Sequence, residues 1–345
     1  MIFLTLILIL AIPTISLIIG ISISAPKYEG PVSDHFDGSR FINSGGVKAK
    51  GGGDLFKWLI NRNRKPWQEK IDQSTGKRPL DHVKGGIRIT FVNHSTFLIQ
   101  MDGINILTDP IWSNRTSPFR SIGPKRKYAP GIKFGDLPRI HLVLLTHNHY
   151  DHLDLQTMRM VFGAHHPKII SPLGIKAFLD QQFITGSTEL DWWQKFIFRD
   201  TLEIQSVPAQ HFSGRGLLDR DVTLWCGFII KTSIGNIYFA GDTGYNDQTF
   251  KEIGKRCGPF RVSLLPIGAY KPEWFMSPIH TSPEESIKIH LDVMSQTSIG
   301  MHFGTFALAD DGYDEPVEDL QSAMRKYNLN PHEFIILQAG QFQEF

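Results

Sequence analysis

The chain has 345 residues, 41% of them hydrophobic and 20% charged, with a formal net charge of +2. That apolar content suffices for one large core or two small ones, and the near-neutral balance excludes a basic nucleic-acid footprint. The two cysteines, Cys226 and Cys257, form no C-x-x-C pair, which argues against a disulfide framework or a thiolate metal site. Residues 2–24 carry no charged side chain and are mostly Ile and Leu. As a helix rising about 1.5 Å per residue they could cross a hydrocarbon layer of about 30 Å. This segment, 1–24, reads either as a retained single-pass membrane anchor or as a cleaved signal. Ser22, Ser24 and Ala25 supply small residues near a cut, but no basic segment precedes the run. Basic residues gather later, at Lys48, Lys50, Lys57, Arg62, Arg64 and Lys65, which favours a cytosolic side for the catalytic domain.

Residues 25–85 are polar and broken by Gly45-Gly46 and Gly51-Gly52-Gly53, as expected of a linker and an N-terminal arm. A compact domain is expected over 86–345. Strands are predicted over 87–92, 96–101 and 104–108, with Asp102-Gly103 at a turn. A continuous apolar run predicts a buried strand over 142–145, followed by a helix over 153–162. Residues 222–231 and 237–240 read as a hairpin. Ser282-Pro283-Glu284-Glu285 is a capping box that opens a helix running to about 294. A strand ending at 301, a helix over 317–327 and a strand over 334–338 complete the pattern. Two sheets packed face to face with helices outside would fit this order.

Histidine is the informative residue, with 14 in the chain. The run Thr146-His147-Asn148-His149-Tyr150-Asp151-His152 comes directly after the buried strand. Extended backbone sends residues two apart to one side, so His147 and His149 can hold one ion while Asp151 and His152 reach a second. Imidazole and carboxylate suit borderline divalent metals. His211, Asp242 and His302 lie at further strand-end signals beside small residues, as a crowded metal centre needs. Paired divalent ions activate water and stabilise in-line displacement at phosphorus, so hydrolysis is the expected chemistry.

The motif H-x-H-x-D-H followed by a distant His, Asp and His resembles the metallo-β-lactamase superfamily. The resemblance implies a four-layer αββα sandwich with the site at one edge. It assigns His147, His149 and His211 to one metal and Asp151, His152 and His302 to the other, with Asp242 bridging. Asp109, in Thr108-Asp109-Pro110, would orient ligands by hydrogen bonds. The expected cofactor is two zinc ions, with manganese or iron as alternatives.

Longer stretches resemble the N-acylphosphatidylethanolamine-hydrolysing phospholipase D family. They include Gly123-Pro124-Lys125-Arg126, Glu189-Leu190-Asp191-Trp192-Trp193 and Pro266-Ile267-Gly268-Ala269-Tyr270. The resemblance implies release of N-acylethanolamine and phosphatidic acid from a membrane phospholipid. Asp151, Asp242 and His280 would be the catalytic residues, and Lys125 and Arg126 headgroup contacts. It also implies a homodimer as one arrangement. Arg120-Ser121 stand where the family would lead one to expect an amide and an aromatic residue. The alternatives are a hydrolase of this fold acting on another phosphodiester or a lactone, and a membrane-anchored binding protein without turnover.

Overall fold

The computed structural model describes residues 19–67 and 76–345. Strands β1 (Ile87–Asn93), β2 (Thr96–Met101) and β3 (Ile104–Thr108) form an antiparallel meander. Asp102 and Gly103 both take positive φ, 46° and 75°. That is what a two-residue hairpin loop between twisted strands requires, and it sets Met101 opposite Ile104. Strands β4 (Leu142–Leu144), β5 (Lys168–Pro172) and β6 (Thr188–Leu190) then add in parallel. Helices α2 (Leu155–His165) and α3 (Ile175–Gln181) serve this parallel half.

The second sheet contains β7 (Lys195–Phe198), β8 (Leu202–Val207), β9 (Gly227–Lys231), β10 (Asn236–Phe239), β11 (Phe260–Pro266), β12 (Ser295–Met301) and β13 (Phe334–Ile335). Strands β7 to β10 are antiparallel neighbours and β10 to β13 are parallel. Helices α4 (Asp247–Cys257), α6 (Pro283–Asp292) and α7 (Glu315–Lys326) cover its outer face, and the short α5 (Glu273–Met276) precedes α6. Ile89, Ile106, Leu142 and Leu144 of one sheet meet Ile204, Phe228, Ile230 and Phe239 of the other in a shared core. A second cluster joins Val92, Leu98, Leu107 and Val143 to Met158 and Val161 of α2 and Phe178 of α3. The order is therefore helix, sheet, sheet, helix, as expected.

The capping box is present: Ser282 and Glu285 satisfy each other's backbone N–H at the start of α6. The last predicted strand is shorter than expected. It ends at Ile335 because residues beyond cross to the other sheet, where β14 (Phe342–Glu344) pairs with β1.

The stretch read as linker and arm packs closely on the domain. Phe36 and Phe41 enter the inter-sheet core. Helix α1 (Gly52–Ile60) buries Trp58 against Ala269, Phe275 and Met276, and the Trp58 indole N–H donates to Asp310 at 2.9 Å. The expected anchor or signal helix falls largely outside the described residues. Its last part, residues 19–22, is helical and rests on the loop at Leu217, whose N–H donates to the Gly20 carbonyl at 3.2 Å. Among the described residues no helix is long and apolar enough to cross a membrane.

Candidate metal centre

The strand ends β3, β4, β8, β10 and β12 deliver their following residues to one edge of the sandwich. Because β3 and β4 run parallel with Thr108 beside Leu144, Asp109 falls next to Thr146. Its carboxylate accepts the Thr146 N–H (2.8 Å), the Thr146 hydroxyl (2.6 Å) and His152 Nδ1–H (2.7 Å). The Thr146 hydroxyl, already donating to Asp109, accepts from His147 Nδ1 at 2.9 Å. Asp109, directly and through Thr146, therefore orients two histidines with Nδ1 engaged and Nε2 turned to the cluster. On another strand end, His211 Nδ1–H donates to the Ile279 carbonyl at 2.8 Å, with the same result.

Gly241 turns the chain after β10 with φ 63°, and a Cβ there would lie 2.8 Å from the Thr146 side chain. Only glycine lets this turn close and bring Asp242 in. His302 takes φ 59° directly after β12.

The result is a contiguous cluster. His147, His149 and His211 form one group, with His149 Nδ1 2.9 Å from His147 Nε2 and 3.2 Å from His211 Nε2. Two nitrogens bound tetrahedrally to one zinc-sized ion would stand about 3.3 Å apart. Asp151, His152 and His302 form the second group. Asp242 Oδ2 lies between them, 3.0 Å from His302, 3.2 Å from His152 and 3.8 Å from both His211 and His280. The structure thus brings the seven residues read as ligands together in one cluster, with Asp242 between the two groups and His280 beside it.

One member was missed. His94, in the β1–β2 turn at φ 48°, joins the second group through Nε2, 3.0 Å from Asp151 Oδ2. Its signal in the sequence is slight, a single histidine between Asn93 and Ser95 at a strand end.

The electrostatics suit divalent ions. Burial, with the neighbouring imidazoles, pushes His149, His211 and His280 down to about 3 and His147 well below its ordinary value. These rings are neutral at pH 7, the state that ligates. Burial works against the charge on Asp151 and Asp242, but His152 and His302 outweigh it and hold both well below the carboxylate range. Buried His152 Nε2, Asp242 Oδ1 and His280 Nδ1 have no hydrogen-bond partner among the described residues. Unpaired polar atoms converging in a buried site are costly unless an ion or ligand completes them. The donor set fits a pair of divalent cations.

Over this cluster opens a cleft of about 400 Å³. His149, Asp151, Asp242 and His280 lie in it, and Trp58, Phe212, Phe275, Met276, Ile279 and Leu308 give it apolar walls. Lys125 and Arg126 do not line it. Lys125 is exposed, and Arg126 is buried with its guanidinium donating to the carbonyls of Ser113 (2.8 Å) and Ile111 (3.1 Å). Arg126 shapes the loop after β3, and a headgroup in the cleft does not meet it.

The Beta-lactamase superfamily domain matches residues 104–303, and the chain belongs to this superfamily as a metal-dependent hydrolase of the metallo-β-lactamase fold. Over 275 residues it is 36% identical to N-acyl-phosphatidylethanolamine-hydrolyzing phospholipase D 1 of Caenorhabditis elegans, covering 76% of this chain and 77% of that one. It is also 36% identical over 238 residues to the mitochondrial N-acyl-phosphatidylethanolamine-hydrolyzing phospholipase D of Saccharomyces cerevisiae, covering 67% of this chain and 50% of the relative. The isothiocyanate hydrolase from Delia radicum gut bacteria has the same fold, with a TM-score of 0.61 at 21% identity over 75% of this chain and 98% of that one.

Proposed function

We propose that the chain is a zinc-dependent phospholipase D that cleaves N-acylated phosphatidylethanolamine to N-acylethanolamine and phosphatidic acid at a membrane surface. The observation that carries this reading is the cleft itself, with a floor of metal-ligand residues and walls of Trp58, Phe212, Phe275 and Leu308. A substrate matching it has a polar reacting group and apolar chains. The names of the two relatives supply the lipid class. Histidine and carboxylate donors without thiolate suit zinc.

Ions held by His147, His149, His211, Asp151, His152, His302 and Asp242 would supply Lewis acidity, lowering the pKa of water and countering charge that grows on a phosphoryl group. The protein's own groups do the rest. His280 faces the cleft as a neutral ring with Nδ1 unpaired, so it would hydrogen-bond a phosphoryl oxygen or assist the departing ethanolamide oxygen. Trp58 and Phe275, stacked with centroids 4.9 Å apart, exclude water from one wall. The outer face of α1 leaves Phe56 and Ile60 each 65% exposed beside Lys57, which would set the mouth against the bilayer. The charge-free N-terminal run would add a tether to the membrane, with the domain on the cytosolic side.

Turnover of a defined N-acylphosphatidylethanolamine by the metal-loaded chain tests the reading. Equal amounts of N-acylethanolamine and phosphatidic acid are expected, and none from Asp151→Asn. Hydrolysis of a different phosphodiester or of a lactone, with no N-acylethanolamine, would reject the substrate and keep the chemistry.

A further inference from the structure

A second cavity, of about 490 Å³, lies on the other side of Tyr150 from the metal cleft, and Tyr150 lines both. Four arginines line it, Arg115, Arg120, Arg159 and Arg215, against one carboxylate, Asp154. That carboxylate is engaged. It accepts from the Ser113 and Gln156 N–H groups and the Thr157 hydroxyl as the N-cap of α2. The arginines meet neutral acceptors and no carboxylate: Arg115 donates to the Gly123 carbonyl and Arg159 to Gln182 Oε1 at 2.6 Å. Arginine ion pairs among the described residues are made by Arg62, Arg78, Arg88, Arg220 and Arg256, none of which lines this cavity. Arg215 is buried, with its guanidinium donating to the carbonyls of Asn148 (2.6 Å) and Leu153 (2.8 Å) and lying 3.9 Å from the Tyr150 ring centroid. A buried guanidinium held by neutral carbonyls alone, with three more around the same space, is a field that an anion would complete.

The surroundings say which kind of anion. Ser22 and Ile23, the end of the charge-free N-terminal run, form part of the wall. Phe119, on the wall, is 41% exposed, and Leu217 and Leu218, in the loop that holds Gly20 and Ser24, are 61% and 59% exposed. Cationic groups in a cavity with Ile23 and the exposed Phe119 on its wall match a phosphate group carried on acyl chains. We propose that this cavity is a second anion site, separate from the metal centre, which takes the phosphate headgroup of an anionic phospholipid. It would hold the chain on the bilayer while the neighbouring cleft turns over. The inference does not depend on which phosphodiester the cleft hydrolyses.

Calorimetric titration of the metal-loaded full chain with dihexanoyl phosphatidic acid tests it, with inorganic phosphate as the second arm. Two binding events per chain are expected with the lipid. Arg120→Gln/Arg159→Gln, which alters two exposed side chains outside the cleft, should lose one of them by at least tenfold in affinity. Asp151→Asn should weaken the other. No event in the wild type that the double variant loses, or two undiminished events in the double variant, would overturn the proposal. An Arg-dependent event that inorganic phosphate reproduces at equal affinity would overturn its lipid part. Failure of N-acylphosphatidylethanolamine turnover would leave this result unaffected.

Discussion

Asn43 clasps the backbone of His211 from both directions: its Nδ2 donates to the His211 carbonyl at 2.8 Å and its Oδ1 accepts the His211 N–H at 2.9 Å. The same oxygen accepts the Trp225 indole N–H at 2.8 Å. A residue of the N-terminal arm thus fixes a candidate ligand of the metal centre. Asn43→Ala would strand the His211 N–H and carbonyl, each at a cost of about 1–3 kcal/mol, while the Trp225 indole N–H keeps the Ala209 carbonyl at 3.0 Å. We expect a loss of about 2–4 kcal/mol in urea unfolding, and metal affinity weaker by roughly 10–100-fold, as for other partners that orient ligands. Wild-type metal affinity in this variant would reduce the arm to packing alone.

His94 touches the other half of the centre through Asp151. His94→Ala removes a group that faces the carboxylate alongside His302 and lies against its ring, 4.1 Å between centroids. The His147 group does not include His94. Metal content measured on the purified variant should therefore fall towards one equivalent per chain. Two retained equivalents would show that His94 only fills space.

Neither Asn43 nor His94 was legible in the sequence, and the reason is physical. A motif is visible when one strand end delivers several ligands in a short run, as at His147 to His152. Asn43 and His94 matter through contacts 168 and 57 residues away in the chain, which leave no local pattern. Local rules fared well where a local force decides: the Asp102-Gly103 turn, the Ser282 capping box and the buried strand before Thr146. Helix α1 stayed hidden because its first residues are glycines, each costing about 1 kcal/mol against alanine, while burial of Trp58 on Phe275 stabilises it. Arg126 misled for the converse reason. A basic pair in a loop resembles a phosphate contact, but the buried carbonyls of Ile111 and Ser113 claim it.

The arm has its own pH dependence. His35 stacks on Trp192 and lies 2.6 Å from both Asp34 and Asp191. Burial disfavours its charge, but the hydrogen bonds to Asp191 and Asp34 outweigh that and raise its pKa above the ordinary 6.5. A raised folded-state pKa means the contribution is complete below about 6.5 and disappears as pH climbs through the folded value. Urea unfolding of wild type and His35→Gln should differ most at pH 6, and the gap should narrow as pH rises. A gap that does not change with pH would assign His35 a packing role only.

If α1 meets the bilayer with its outer face, charge placed there should uncouple lipid presentation from chemistry. Phe56→Glu/Ile60→Glu alters two side chains that are each 65% exposed, so the fold should be unaffected. Activity on vesicles should fall about tenfold, matching roughly 1.4 kcal/mol of lost interfacial binding, while activity on short-chain monomeric substrate stays level. An equal fall on both substrates would point to damage in the cleft.

Removing the metals should loosen the edge and spare the core. The candidate ligands sit just past the strand ends, whereas Ile89, Phe228, Ile230 and Phe239 pack between the sheets without reference to any ion. A ligand that binds only the folded chain stabilises it by about 2.7 kcal/mol at a hundredfold excess over Kd, so chelation should lower the melting temperature reversibly. The change should also be local. Without ions, the neutral histidines of the first group lose the attraction that holds them together, and Asp151 and Asp242 face one another with only His152 and His302 between. Hydrogen exchange should accelerate over 146–152 and around residues 211, 242 and 302, while amides of β2, β9 and β10 keep their protection. Uniform acceleration across both sheets would mean that the ions hold up the whole sandwich, and that the inter-sheet core cannot stand without them.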